Sequence, residues 1–164
     1  LYLTAAAAPP KMRAMTAHRL ISASSCRRAA QLFNIFTVAA LLVSLSALLI
    51  GKLLADQHVT FLPLVMSLPP IMIWLGASIF VYASIAHHPN ARAVHYNKWA
   101  GYRFYGVMGS LMVFGPGIYG LFDGWQGLVL VQGLAVAIIV PWALYDIYRA
   151  AREPWQDMDI EVEE

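Results

Sequence analysis

Charge is what this sequence has least of. Only 12% of its 164 residues are Asp, Glu, Lys or Arg, about half the share that soluble domains carry, while 60% are hydrophobic. A water-soluble fold of this length lacks the interior to hide so much apolar surface. Cysteine is nearly absent as well. The single Cys26 excludes a disulfide scaffold and the paired thiols of quinone-linked thiol oxidoreductases. A net charge of +2 excludes the dense basic patch of a nucleic-acid binder. Residues 29–51 contain no acid, which removes the deep first-helix carboxylate on which small multidrug exporters depend.

What is present is a series of long uncharged runs. There are 23 residues between Arg28 and Lys52, 35 between Asp56 and Arg92, 19 between Arg103 and Asp123, and 22 between Asp123 and Asp146. A charge near a bilayer centre costs roughly 2.5–3.5 kcal/mol on insertion scales, and about 20 apolar residues cross the hydrocarbon core. The runs therefore predict an all-α integral membrane protein with four transmembrane helices, at 31–54, 63–86, 104–122 and 126–148. The 35-residue run opens on Gln57, His58 and Thr60 and closes on His87-His88-Pro89-Asn90, a stopping sequence, so one helix fills it. Pro69-Pro70 and Gly115-Pro116-Gly117 predict kinks in the second and third helices.

Basic residues orient the spans. Lys11, Arg13, Arg19, Arg27 and Arg28 precede the first helix, Arg92, Lys98 and Arg103 lie between the second and third, and Arg149 and Arg152 follow the fourth. Only Lys52 lies on the other side. The asymmetry puts both termini in the cytoplasm, in a multi-pass protein of a bacterial-type inner membrane. Three regions result: a flexible basic segment at 1–30, a four-helix transmembrane domain at 31–148, and an acidic cytoplasmic tail at 149–164.

The residues able to carry chemistry are few. His87, His88 and His95 form the one candidate metal site, with three nitrogens but no nearby Asp, Glu or Cys. No histidine pair sits at matching depth inside the bilayer for haem, so no intrinsic cofactor is expected, only bound phospholipid. Asp146 lies one turn from Arg149, which predicts an intrahelical pair. Gly106, Gly109 and Ser110 have the small-residue spacing of a close helix contact. Read as a helix, Arg92, Tyr96, Trp99 and Arg103 share a face suited to anionic lipid headgroups or to a partner. In the tail, Met158, Ile160 and Val162 alternate with acids, so an extended chain would offer a partner an apolar strip.

The expectation is an accessory subunit of a larger membrane complex, respiratory or of another electron-transfer kind, contacting larger membrane-protein subunits and anionic lipids but no nucleic acid. A small oligomeric transporter or channel is the alternative. A membrane enzyme acting on lipid or quinone is third.

Overall fold

A computed structural model describes residues 16–55, 60–122 and 124–163. Four helices dominate it: α1 (Ala23–Leu54), α2 (Leu62–Ala86), α3 (Ala91–Leu121) and α4 (Trp125–Arg152). All four are long and apolar enough to span a membrane. Two short strands, β1 (Thr16–Ile21) and β2 (Met158–Glu163), form an antiparallel ribbon that joins the segment before α1 to the segment after α4.

The helices extend beyond the apolar runs. Helix α3 starts at Ala91 rather than at 104, because Asn90 caps it: the Asn90 side chain accepts the backbone N–H groups of Arg92 at 3.0 Å and Ala93 at 3.1 Å. With that N-terminus satisfied, the backbone has no reason to stop at Arg92, Lys98 or Arg103. The segment between the second and third expected spans is thus helix, and the 31 residues of α3 reach about 46 Å at 1.5 Å each. Helix α1 likewise takes in Arg27 and Arg28 from a segment expected to be flexible, with Ser22 as its N-cap. Helices α2, α3 and α4 run uninterrupted through Pro69-Pro70, Pro116 and Pro141. Gly124, with φ 49°, makes the left-handed turn between α3 and α4 that a side chain would strain.

Helix α1 is the central element and touches the other three. Its buried positions, among them Ala30, Phe33, Thr37, Leu41, Ser44, Leu48 and Gly51, recur every three or four residues, the spacing of one helical face. Phe33 lies at the centre of an aromatic cluster, edge-on to Trp74 at 5.4 Å and Phe104 at 5.9 Å, with Ala100, Ala135 and Ile139 around it. Two helix pairs close at one end. A Cβ on Gly51 would lie 2.6 Å from Pro63 Cα, fixing α1 to α2, and one on Gly127 would lie 2.6 Å from Tyr119 Cα, fixing α4 to α3. At the other end α2 meets α3, where Gly101 makes room for the Tyr82 ring and Ser78 Oγ lies 2.9 Å from the Tyr105 hydroxyl. Large apolar side chains cover the exterior; Leu53, Phe80, Ile73 and Val113 are all largely exposed.

The acidic tail does not stand free of the bundle. Met158 lies opposite Ile21, Ile160 opposite Arg19 and Val162 opposite Ala17. The alternation that predicted an extended strip is present, and the strand edge that captures it is the chain's own segment 16–21 rather than a partner's. Residues 1–15 of the expected flexible segment lie outside the described residues.

Candidate functional site

Two groups of polar side chains gather at the end of the bundle where α1 begins and α4 ends. Arg103 Nη2 donates to Asp146 Oδ2 at 2.6 Å, from α3 to α4, and to Asn34 Oδ1 on α1 at 3.4 Å. The side chains of Arg103 and Asp146 are 21% and 12% exposed, so the charges are largely withdrawn from solvent. Asp146 therefore pairs between helices and not with Arg149. Arg149 turns away to Glu153, 3.1 Å from its Nε. Asn34 is buried, and its Nδ2 has no partner among the described residues. Beside it, Gln31 Nε2 donates to the Ile147 carbonyl at 2.8 Å, a second tie from α1 to α4.

A second cluster lies nearer the termini. The Tyr96 hydroxyl donates to Glu153 Oε1 at 2.8 Å, and Arg92 Nη1 donates to the Pro154 carbonyl at 3.0 Å. The Arg92 guanidinium also lies over the Trp155 ring, 5.6 Å from its centroid, while the indole N–H donates to the Ala150 carbonyl at 2.7 Å. Asp157 then accepts the Ala23 backbone N–H at 2.6 Å, adding a carboxylate to the N-terminus of α1 that Ser22 already caps through the Ser25 N–H. Ala30, Ala93 and Ala150, all small and buried, let the three helices close beneath this cluster.

These contacts divide the face that Arg92, Tyr96, Trp99 and Arg103 share. Tyr96 is buried and Arg103 turns inward to Asp146, whereas Trp99 points outward. The outward-facing set is instead His95, Trp99 and Tyr102, whose rings follow edge to face at 6.2 and 6.1 Å. The same side of α3 continues through Gly106, Gly109, Ser110, Val113, Gly117 and Gly120, all exposed. A Cβ on any of these four glycines would meet nothing within 4 Å among the described residues. Gly106, Gly109 and Ser110 therefore make no close helix contact among the described residues; the Ser110 hydroxyl folds back on the Gly106 carbonyl at 2.8 Å.

The histidines do not converge. His87 ends α2 and is exposed, and His95 stacks edge-on against Trp99. His88 accepts the Asn90 backbone N–H at Nδ1, 3.1 Å away, and partial burial lowers its pKa from the ordinary value. Among the described residues no three His, Cys, Asp or Glu side chains are placed to hold a metal ion. Cys26 is buried in the first turns of α1.

Inside the bundle, spacing arguments missed a third polar group. Gln132 Nε2 of α4 donates to Ser44 Oγ of α1, which donates to the Ser67 carbonyl of α2 at 2.5 Å. These residues border a cavity of about 160 Å³ whose other walls are Leu41, Ile71, Met108, Leu111 and Ala135. The uncharged run 124–145 contains Gln132 without distinction, and only its depth in the packed bundle makes it notable. Comparisons of the chain with protein-family models, with curated proteins and with solved structures found no match.

Proposed function

We propose that the chain is an integral membrane subunit that packs against larger membrane-protein subunits through the outward face of α3. The observation that carries this reading is a contrast between glycines. Gly51, Gly101 and Gly127 each admit a neighbouring backbone or ring to within 2.7 Å of where a Cβ would sit, while Gly106, Gly109, Gly117 and Gly120 have nothing within 4 Å of that position among the described residues. In lipid, association relies on close backbone approach, and a smooth face across the whole of α3 suits a helix of another subunit. Trp99 and Tyr102 at one end of that face suit the headgroup level.

In this reading all four helices cross the bilayer, and both ends of the chain lie on the cytoplasmic side. Two observations support it: ten of the eleven Lys and Arg residues fall on one side, and β1 pairs with β2, which requires an even number of crossings. Helices α2 and α3 bend at Pro69-Pro70 and Pro116, and the membrane is of the bacterial inner type. Exposed Arg19, Arg27, Arg28 and Lys98 face anionic lipid, and phospholipid fills the apolar exterior. In this reading the role is structural: sealing and positioning the subunits of an electron-transfer assembly. Affinity purification in mild detergent, followed by mass spectrometry, tests this. Larger membrane subunits at fixed stoichiometry are expected; a closed homo-oligomer free of other proteins overturns it.

The space between α2 and α3 favours a second reading, an oligomeric transporter or channel. Solute movement by the purified protein in liposomes would distinguish it.

A further inference from the structure

We propose that the cavity between the four helices is a binding site for a membrane amphiphile, one aliphatic chain carrying a hydrogen-bonding oxygen, and that Gln132 is the residue that recognises the oxygen. The proposal rests on the chain residing in a membrane, and not on which subunits it joins.

Three features lead to it. The first is access. Helices α2 and α3 meet at Ser78, Tyr82, Gly101 and Tyr105 but enclose open space at the opposite end, and Leu68 and Met112, which border the cavity, are also exposed on the exterior. A lipid-soluble molecule can therefore enter sideways from the bilayer without crossing a polar layer.

The second is shape. The cavity of about 160 Å³ is close to the size that holds a six-membered ring. A second space of about 470 Å³, sharing Leu111, Met112, Leu128 and Val131 with the first, runs on between Leu64, Gly115 and Tyr119 toward Trp125. A ring or hydroxyl head fits the inner space and an alkyl or isoprenoid chain the outer one. Met108 and Met112 supply walls that adapt to either.

The third is chemistry. Ser44 uses its proton on the Ser67 carbonyl and accepts one Gln132 proton, so the serine is satisfied. Gln132 keeps a second N–H and its Oε1 with no partner among the described residues, beside walls that are otherwise almost wholly apolar. An amide so placed makes only one of its possible hydrogen bonds, and a quinone oxygen can accept the free N–H, or an alcohol also donate to Oε1, where a hydrocarbon can do neither.

The test measures binding of decyl-benzoquinone, decanol and decane to the full chain purified in detergent, by equilibrium dialysis. Resistance to carbonate extraction from membranes establishes membrane residence separately. The quinone or the alcohol, and whichever source binds tighter names the class, should saturate near one per chain, with decane about tenfold weaker or more. Gln132→Leu should bring the oxygen-bearing probes to the level of decane. Equal binding of decane, unchanged binding by Gln132→Leu, or no saturable binding by a membrane-resident protein overturns the site. Should Gln132→Leu fail to fold, Met112→Trp at the exposed mouth must weaken binding at least tenfold, and its failure to do so overturns the site equally.

Discussion

Arg103 and Asp146 meet at 2.6 Å between α3 and α4, one residue on each side of a junction that α1 completes through Asn34. Each charge is tolerated only because the other is there. Removing one leaves its partner largely shielded and unpaired, at a cost that approaches that of breaking a buried pair. Asp146→Asn or Arg103→Met should each destabilise the protein by about 2 kcal/mol, and the double variant Arg103→Met, Asp146→Leu should recover most of it. Thermal unfolding in detergent across this cycle checks the pairing; additive losses would show that the two side chains do not depend on each other.

The tail should act as a clamp on the bundle. Asp157 caps α1 through the Ala23 N–H, and Glu153 joins Tyr96 of α3 to Arg149 of α4. Asp157→Ala should cost about 1 kcal/mol, the usual worth of one side-chain hydrogen bond to the first turn of a helix, beside the Ser22 N-cap. Deleting residues 156–164 should cost more, since the β1 ribbon partner goes with the cap, and should leave membrane insertion unchanged. Hydrogen exchange at Ala23 to Cys26 gives the local readout, with faster exchange in both variants.

The extent to which this fold was legible differs from feature to feature, for physical reasons. The four helices were visible because hydrocarbon excludes charge, so a count from Arg28 to Lys52 or from Asp123 to Asp146 marks a span. Helix ends were not, because a charge limits the span and not the backbone ladder; Asn90 decides where α3 begins. Spacing along one helix suggested Arg149 for Asp146, but the choice of Arg103 depends on how α3 and α4 are rotated about their axes, which no local pattern contains. The tail's alternation announced an extended strip at Met158 and Ile160, whereas β1, with no such alternation through Ala17, His18, Arg19 and Leu20, gave no sign of being its mate. Small residues on α3 were equally plain, yet periodicity alone cannot tell a face covered by the chain from one left open.

Glycine substitutions should separate those two faces. At Gly127 a methyl group would press on the Tyr119 backbone, 2.6 Å from its Cα, and backbone cannot give way as a side-chain tip can. Gly127→Ala should therefore destabilise the isolated chain by about 2 kcal/mol, within the range of overpacking. Gly109→Leu should leave the isolated chain as stable as before or slightly more so, since a helical glycine is entropically unfavourable and nothing lies within 4 Å among the described residues. Its effect should appear only as loss of co-purifying subunits. A fully assembled Gly109→Leu complex would mean that this face of α3 meets lipid.

The segment between α2 and α3 should make stability sensitive to mild acid. His88 Nδ1 is the acceptor for the Asn90 backbone N–H, and Asn90 in turn caps α3, so protonating that nitrogen sets a donor against a donor at the start of the helix. Burial lowers the pKa of His88 in the folded protein, so between the folded value and the ordinary one near 6.5 the unfolded chain binds more protons than the folded chain. Stability should be unaffected by this group above about pH 6.5, decline as pH falls below it, and level off once the folded imidazole is also charged. His88→Asn presents a side-chain oxygen in place of Nδ1 and has no proton to gain, so it should remove this part of the acid slope while preserving the α3 cap. Unfolding midpoints of the two proteins from pH 8 to pH 5 give the comparison, and parallel curves would show that His88 stays uncoupled from the cap.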